Sequence, residues 1–324
     1  MRAIMCDAFE GVDNLKLVEI DKPKAGPGEV LIRVKAAALN FFDTLILRDK
    51  YQFTPDLPFS PAGEIAGVIE EVGEGVQSVR VGQKAISYIR WGGARDYVVV
   101  PAEEAITMPD PLGFAEAAGL VITYGTTIYG LRSRARMQPG ETLAVLGAAG
   151  GVGLAAVEIG KLMGARVIAC ASSDEKLQLC EAHGADDLLN YKSSDLKQTL
   201  KDMTDGHGVD VVYDPVGGDL SEAALRATGW YGRFLVVGFA SGTIPKMPLN
   251  LVMLKGVDLL GVFWGEAIKR EPADHAANMK QIMTWVAERK LKPHIDRRYP
   301  LEETADAIRA IANREVKGKV VITL

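Results

Sequence analysis

The chain has 324 residues, a formal net charge of −5 and 48% apolar side chains, enough for two domains with separate cores. The acidic balance argues against a nucleic-acid partner, whose phosphates select basic surfaces, and no apolar run approaches the roughly 20 residues of a membrane span. The opening MRAIMCDAFEG lacks the apolar stretch of a secretion signal, so a cytoplasmic location is expected.

Residues 1–100 read as β-rich: EVLIRVKAAAL and EIAGVIEEVG alternate apolar with polar positions between Gly- and Pro-containing turns. PLGFAEAAGLVITYGTTIYGLRSRA, from residue 111, is helical in composition. From Glu141 onward, six short apolar runs alternate with helix patterns: TLAVLG, RVIACA, DDLLNY, VDVVYDPV, RFLVVGF and VDLLGVFW. This is the sequence form of a doubly wound parallel sheet, its strands buried on both faces. A helix, EPADHAANMKQIMTWVAERKL, follows. The tail closes on a strand, GKVVITL, that is too short to fold alone and is expected to pair with the N-terminal β region.

Cys6, Cys170 and Cys180 form no CxxC pair, and none of the four histidines stands at a metal-ligand spacing from another. Cys170, inside an apolar run, reads as a small buried hydrophobe.

The stretch LAVLGAAGGVGLAAVEIGKLMGA carries the sharpest signal. A strand runs through Gly147, Ala148, Ala149, Gly150, Gly151, Val152 and Gly153 into a helix whose apolar face is Val152, Ala155, Ala156, Ile159 and Met163. Gly150 and Gly151 would let the backbone approach a pyrophosphate, and Gly153 would let the helix lie against the strand. The helix end turns free N–H groups and its positive dipole toward the anion. Ala148 replaces the first Gly of the usual GxGxxG and requires a negative φ. Tight packing alone also asks for glycines, but the position at the head of six strand–helix units points to a dinucleotide.

An NAD enzyme places an acid near the end of the second strand, about 20 residues on, for the ribose 2′-OH. Here stand Ala171, Ser172 and Ser173, with Lys176 one turn further. Two hydroxyls and a cation suit the 2′-phosphate of NADPH. Two bland readings stay open: Ser173 as a helix cap and Lys176 as a solvated side chain. Asp174 keeps NAD in contention.

GAAGGVG, HGADDLLNY, GVDVVYDPVGG, AALNFFDTLI and GGARDYVVVP together resemble the quinone oxidoreductase branch of the medium-chain dehydrogenase/reductase superfamily, along essentially the whole chain. The resemblance implies an α/β protein with a GroES-like β-rich domain (1–122 and 265–324) and a six-stranded Rossmann domain (123–264), the active site lying in the cleft between them. Against the superfamily's zinc alcohol dehydrogenases, Asn40 stands at the catalytic cysteine position, Ala62-Gly63-Glu64 replaces Gly-His-Glu, and the four-cysteine lobe is missing. The protein is therefore read as metal-free.

Without a Lewis acid, hydride is best accepted by a substrate that delocalises its own charge, such as a quinone or an enone. The oxyanion that forms needs hydrogen-bond donors and then a proton. The resemblance implies where to look. Tyr51 matches the family tyrosine near the nicotinamide, as proton donor or as cleft-wall aromatic. Asn40 matches the asparagine at the cofactor's nicotinamide end, or satisfies a turn. Asp43 orients Asn40 or Tyr51, or starts a helix. Thr127 matches the threonine beneath the nicotinamide, or packs a helix. Tyr191 matches the tyrosine near the 2′-phosphate, or covers a strand end. Gly238, Phe239 and Ala240 after the fifth strand, and Phe263 and Trp264 after the sixth, lie at carboxyl strand ends, where open α/β sheets bind ligands; Trp264 is alternatively a domain anchor. Lys319 either reaches a phosphate or is a charged turn residue. Arg90 and Trp91 are placed on the substrate side.

The expected activity is NADPH-dependent, zinc-independent reduction of quinones or α,β-unsaturated carbonyls, by a homodimer paired through the edge strand near LLGVFW. The rival within enzymes is reduction of a small, acryloyl-CoA-like enoyl-CoA, with Arg90, Arg95, Lys246 and Arg270 gathered on the CoA. The rival outside enzymes is a non-catalytic nucleotide-sensing or RNA-binding protein on the same fold.

Overall fold

The computed structural model describes residues 1–324. By contacts the chain divides into two units, Met1–Ile122 with Met283–Leu324, and Thr123–Ile282. The return to the first unit comes at 283, later than the 265 read from sequence. The intervening helices belong to the second unit: Trp264 packs edge-on against His275, and Ser133 donates to Asp274 at 2.6 Å.

The first unit is built on a seven-stranded mixed sheet in which Glu29–Leu39 is central. It pairs antiparallel with Glu64–Val72 on one side and with Tyr97–Pro101 and Lys319–Thr323 on the other. The tail strand thus lies beside the N-terminal strands, with Val320 opposite Leu39. The alternation read in EVLIRVKAAAL holds only in its middle, where Arg33 and Lys35 stand out between buried Ile32, Val34 and Ala36. Ala36, Ala37, Ala38 and Leu39 are all buried, because helix Phe114–Ala118 packs on this strand and three small side chains admit it.

The second unit carries six parallel strands in the order Asp187–Asn190, Arg166–Ala171, Thr142–Leu146, Val209–Asp214, Thr228–Val236, Asp258–Gly261. These are the six apolar runs of the sequence. Val167–Cys170, Leu143–Leu146 and Val211–Tyr213 are sealed from solvent, as central strands covered on both faces must be. The fifth strand starts at Thr228, earlier than read, and stops at Val236, leaving residues 237–240 as loop. The helix after the first strand, Gly151–Leu162, buries Leu154 and Val157 besides the expected Ala155, Ala156 and Ile159, whereas Val152 and Met163 are half-buried. All three cysteines are buried and unpaired, and burial pushes the Cys170 thiol well up. No helix is long and apolar enough to cross a membrane.

Candidate functional site

In the second unit, the turn after Leu146 has the geometry its residues require. Gly147 takes the left-handed conformation (φ 58°), and Ala148, free of that demand, ties the turn to the next strand by donating to Cys170 O at 3.1 Å. Gly150 is the N-cap residue of Gly151–Leu162, and no side chain caps that helix. The amides of Gly151, Val152 and Gly153 therefore have no intrahelical acceptor. A Cβ on Gly153 would lie 2.3 Å from Gly147 O and 2.8 Å from Ala148. Only glycine fits there, and the helix mouth is drawn tight onto the strand end. Ala149 is buried at the floor of the turn.

The neighbouring strand ends are less open than the sequence reading had them. Ser173 is the N-cap of Asp174–Ala182, its hydroxyl accepting from Lys176 N at 3.4 Å, so the cap reading is the one realised. Ser172 and Lys176 are half-buried beside it. Asp174 Oδ1 accepts from Asn190 Nδ2 at 2.8 Å, which engages the acid that would favour NAD. Tyr191 packs on the core of the sheet and donates its backbone N–H to Ala171 O.

Thr127 is wholly buried, its hydroxyl 3.0 Å from the Tyr213 hydroxyl and 3.3 Å from Val152 O. It braces the first turn of the Gly-rich helix from beneath, as the packing alternative of the sequence has it. Trp264 is corrected. It is 6% exposed and lies against Gly125, where a Cβ would meet the indole at 2.7 Å, so it is a core anchor of its own unit. Phe263 is exposed. Phe239 packs on Gly217, flanked in the loop by half-buried Gly238 and Ala240. Asp214, which the sequence reading passed over, shapes that loop: it accepts from Val216 N, Gly217 N and the Ser221 hydroxyl.

In the first unit, the strand Glu29–Leu39 ends at Asn40, the N-cap of helix Phe41–Ile46. Asp43, 1% exposed, accepts from Asn40 N at 2.7 Å and from Ala62 N at 2.9 Å. It thus satisfies one of the helix's orphan amides and holds Ala62 in a left-handed conformation, φ 70°, that an L side chain rarely adopts. Burial pushes its carboxyl up to about 7, offset in part by those two N–H donors and by Lys319.

Lys319 is neither a phosphate-reaching nor a turn residue. It begins the buried strand Lys319–Thr323, is 4% exposed, and directs Nζ to Glu64 Oε1 (2.8 Å), Asn40 Oδ1 (2.6 Å) and Leu39 O (3.1 Å). Glu64, 0% exposed, also accepts from Asn40 Nδ2 at 3.0 Å and from Ile122 N at 2.9 Å. A lone acid in the apolar strand EIAGVI was the one signal for this cluster in the sequence.

Tyr51 stacks on Phe42 (centroids 5.4 Å apart, 26° between planes) and meets Phe53 edge-on. Burial, then the charge of Asp43, raises its phenol above the ordinary value, so the hydroxyl keeps its proton. Arg90 lies over the Phe53 ring at 5.4 Å, and Trp91 packs on the same core. Arg95 instead turns inward, Nε donating to Gly92 O at 2.5 Å, while Arg270 pairs with Glu266.

Two family models match: the alcohol dehydrogenase GroES-like domain over residues 26–110 and the zinc-binding dehydrogenase over 151–286. The bovine (Bos taurus) quinone oxidoreductase-like protein 2 is 36% identical over all of this chain and 92% of its own length. The rat (Rattus norvegicus) quinone oxidoreductase is 32% identical over 100% and 98%. The chain belongs to the quinone oxidoreductase branch of the medium-chain dehydrogenase/reductase superfamily. A solved quinone oxidoreductase of Escherichia coli, complexed with NADPH, superposes on this member with a TM-score of 0.91 over the full length of both chains at 27% identity. The superfamily is one of oxidoreductases, and the GroES-like and six-stranded Rossmann units seen here are its architecture. One of the matching models is named for zinc, but the donor set here does not fit that ion. No group of three or more His, Cys, Asp or Glu side chains is placed to hold a metal, and the carboxylate of Glu64 is already paired with an ammonium.

Proposed function

We propose that the protein is an NADPH-dependent, zinc-independent reductase of quinones or α,β-unsaturated carbonyl compounds. The observation that carries the reading is the uncapped mouth of the Gly151–Leu162 helix, brought against the strand end by Gly153, with three uncommitted backbone N–H groups. Gly150, Gly151, Val152 and Gly153 would hold the dinucleotide's diphosphate, and Ser172 with Lys176 its 2′-phosphate. When bound, NADPH supplies a hydride.

The chain's own residues supply the rest. Phe42, Tyr51 and Phe53 form an aromatic surface suited to a planar acceptor, and they exclude water from its face. Tyr51, kept protonated, donates a hydrogen bond to the acceptor oxygen as it gains charge. Asn40 offers its carboxamide at the nicotinamide end. Asp43 does not touch the reacting atoms in this scheme; it fixes the Asn40 and Ala62 backbone. Zinc-independence is supported by the ammonium that pairs with Glu64. The relatives' printed names support both the acceptor class and the cofactor.

We further infer a homodimer. The strand Asp258–Gly261 is the free edge of the six-stranded sheet, and Trp230 (67%), Tyr231 (67%) and Met253 (75%) stand exposed on the elements packed beside it. Such an apolar patch next to an unpaired edge suits a second copy. Sedimentation equilibrium showing a monomer at micromolar concentration would rule it out.

The reading as a whole is tested by NADPH and NADH oxidation with a panel of quinones, enones and enoyl-CoA thioesters. A quinone or enone with the highest kcat/KM, and at least tenfold preference for NADPH, is expected. A thioester at the top of the panel, or retention of RNA without turnover, replaces it.

A further inference from the structure

The scheme above leaves Glu64 and Lys319 without a task, although no other ion pair in the chain has both side chains so deeply buried. Burial of an ion pair is weak evidence for stability, because desolvating two charges cancels much of their attraction. Its geometry has another consequence. The three hydrogens of the Lys319 ammonium are all assigned, to Glu64 Oε1, Asn40 Oδ1 and Leu39 O. Glu64 in turn takes a hydrogen from Asn40 Nδ2. The Asn40 carboxamide is therefore gripped at both ends, a cation on its oxygen and a carboxylate on its nitrogen, in addition to the capping box in which its side chain accepts from the Asp43 backbone N–H. A 180° flip would set NH₂ against the ammonium and oxygen against the carboxylate. One Nδ2–H remains uncommitted, on a residue that is half-buried where its two partners are sealed. The lysine stem reaches the cluster past Gly119, where a Cβ would come within 3.2 Å of Lys319 Cγ.

We propose that Lys319 and Glu64 are positioning residues that lock the Asn40 carboxamide in one orientation and so present its free N–H as a fixed donor to the reacting pair. The inference rests on the reductase reading, in which Asn40 serves the nicotinamide end. A donor already aimed needs no reorganisation as charge develops, which is where preset dipoles gain most over water. Replacing Lys319 takes the cation off the carboxamide oxygen and leaves Glu64, which holds the nitrogen, without its counter-charge, so the amide's direction is loosened while the diphosphate turn at 147–153 is untouched.

The test uses the full chain with NADPH and its best acceptor. Lys319→Met is expected to lower kcat at least tenfold, with acceptor KM changed less than threefold and the NADPH Kd, read from nucleotide fluorescence, within twofold. Asn40→Ala should lose a similar factor, and adding Lys319→Met to it should lose no more, since the lysine acts through the asparagine. In Lys319→Ala, methylammonium should restore activity several-fold and saturably, and tetramethylammonium, which has no N–H, should not. Losses that multiply in the double variant, or an unchanged kcat, overturn the proposal. If Lys319→Met does not fold, Lys319→Met with Glu64→Gln, which leaves no unpaired buried charge, carries the same expectations. A second readout is independent of turnover: the Asn40 carboxamide protons, assigned by difference with Asn40→Ala, should be exchange-protected in the wild type and exposed in Lys319→Met. Equal protection in both sinks the clamp even in an active enzyme. An inactive wild type with that protection intact sinks the reductase reading alone.

Discussion

The helix mouth of the Thr123–Ile282 unit draws every part from residues 147–153, whereas the Asn40–Glu64–Lys319 cluster of the other unit joins residues up to 279 apart in sequence. The first is made of backbone: what it needs from side chains is that they be missing. The second is made of side chains around a buried ion pair, whose charges are answered by one another and by backbone groups, with one Asn40 Nδ2–H left over. The two should therefore fail differently. A backbone site fails by steric intrusion, and a buried polar cluster by an unanswered charge.

Glu64→Ala is the largest expected effect. It leaves the Lys319 ammonium buried without its counter-charge, and removal of one partner of such a pair costs about 3–5 kcal/mol. Denaturant unfolding at neutral pH checks it; a loss under about 1 kcal/mol would mean that water reaches the cluster. Next comes Gly153→Ala, whose methyl meets Gly147 O at 2.3 Å. Overpacking of this kind costs about 1–3 kcal/mol, and nucleotide affinity should fall at least tenfold. Gly150→Ala is the control: its Cβ would meet Gly147 O at an ordinary 3.4 Å, so its unfolding midpoint should match the wild type. Equal effects at 150 and 153 would erase the steric account of the turn.

Tyr51→Phe should reduce kcat by about tenfold, on the order of 1.4 kcal/mol, with little change in KM if the hydroxyl acts in the transition state. Unchanged kcat removes Tyr51 from the chemistry. Ser173→Ala comes lower, at about 1 kcal/mol for a lost N-cap. Because its hydroxyl caps its own helix, it should weaken NADPH and NADH binding alike, whereas Lys176→Ala should weaken NADPH alone. A preference for NADPH that survives Lys176→Ala would move the 2′-phosphate elsewhere.

A separate effect is one of pH. Asp43 has a carboxyl raised from 3.8 to about 7 in the folded chain, so the native state holds a proton there that the unfolded state has released. Its contribution to stability is full below about pH 3.8 and is lost as the pH rises toward 7. Subtracting the Asp43→Asn profile from that of the wild type should leave a decline across that window and a plateau above it. A flat difference across that window, with any rise confined to below about pH 3.8, would mean that Lys319 dominates and that the carboxylate is ionised throughout it.

The contrast between the two regions also explains how far the sequence could be read. The phosphate-type turn was legible because its requirements are local: glycine where the chain turns left-handed or touches itself, then a helix at the next residue. Its supporting residues were not. Thr127 looks like a ligand residue in YGTTIYGL, and only the packed structure sets it beneath Val152, its hydroxyl spent on Tyr213. Trp264 follows a strand, where ligands gather, yet it fills the space opposite Gly125. A position at a strand end is a property of the chain; the direction in which its side chain turns is a property of the core.

The sequence by itself determined the two-part organisation, the six parallel strands, the glycine at 153 and the absence of paired metal ligands, because hydrophobic period, turn chemistry and residue type act over a few neighbours. Tertiary structure alone decided that Lys319 crosses to Asn40 and Glu64, that Asp43 secures Ala62, and that Ser173 serves its own helix. Those outcomes depend on which distant groups are desolvated together, and a buried charge takes whatever partner the fold brings within reach.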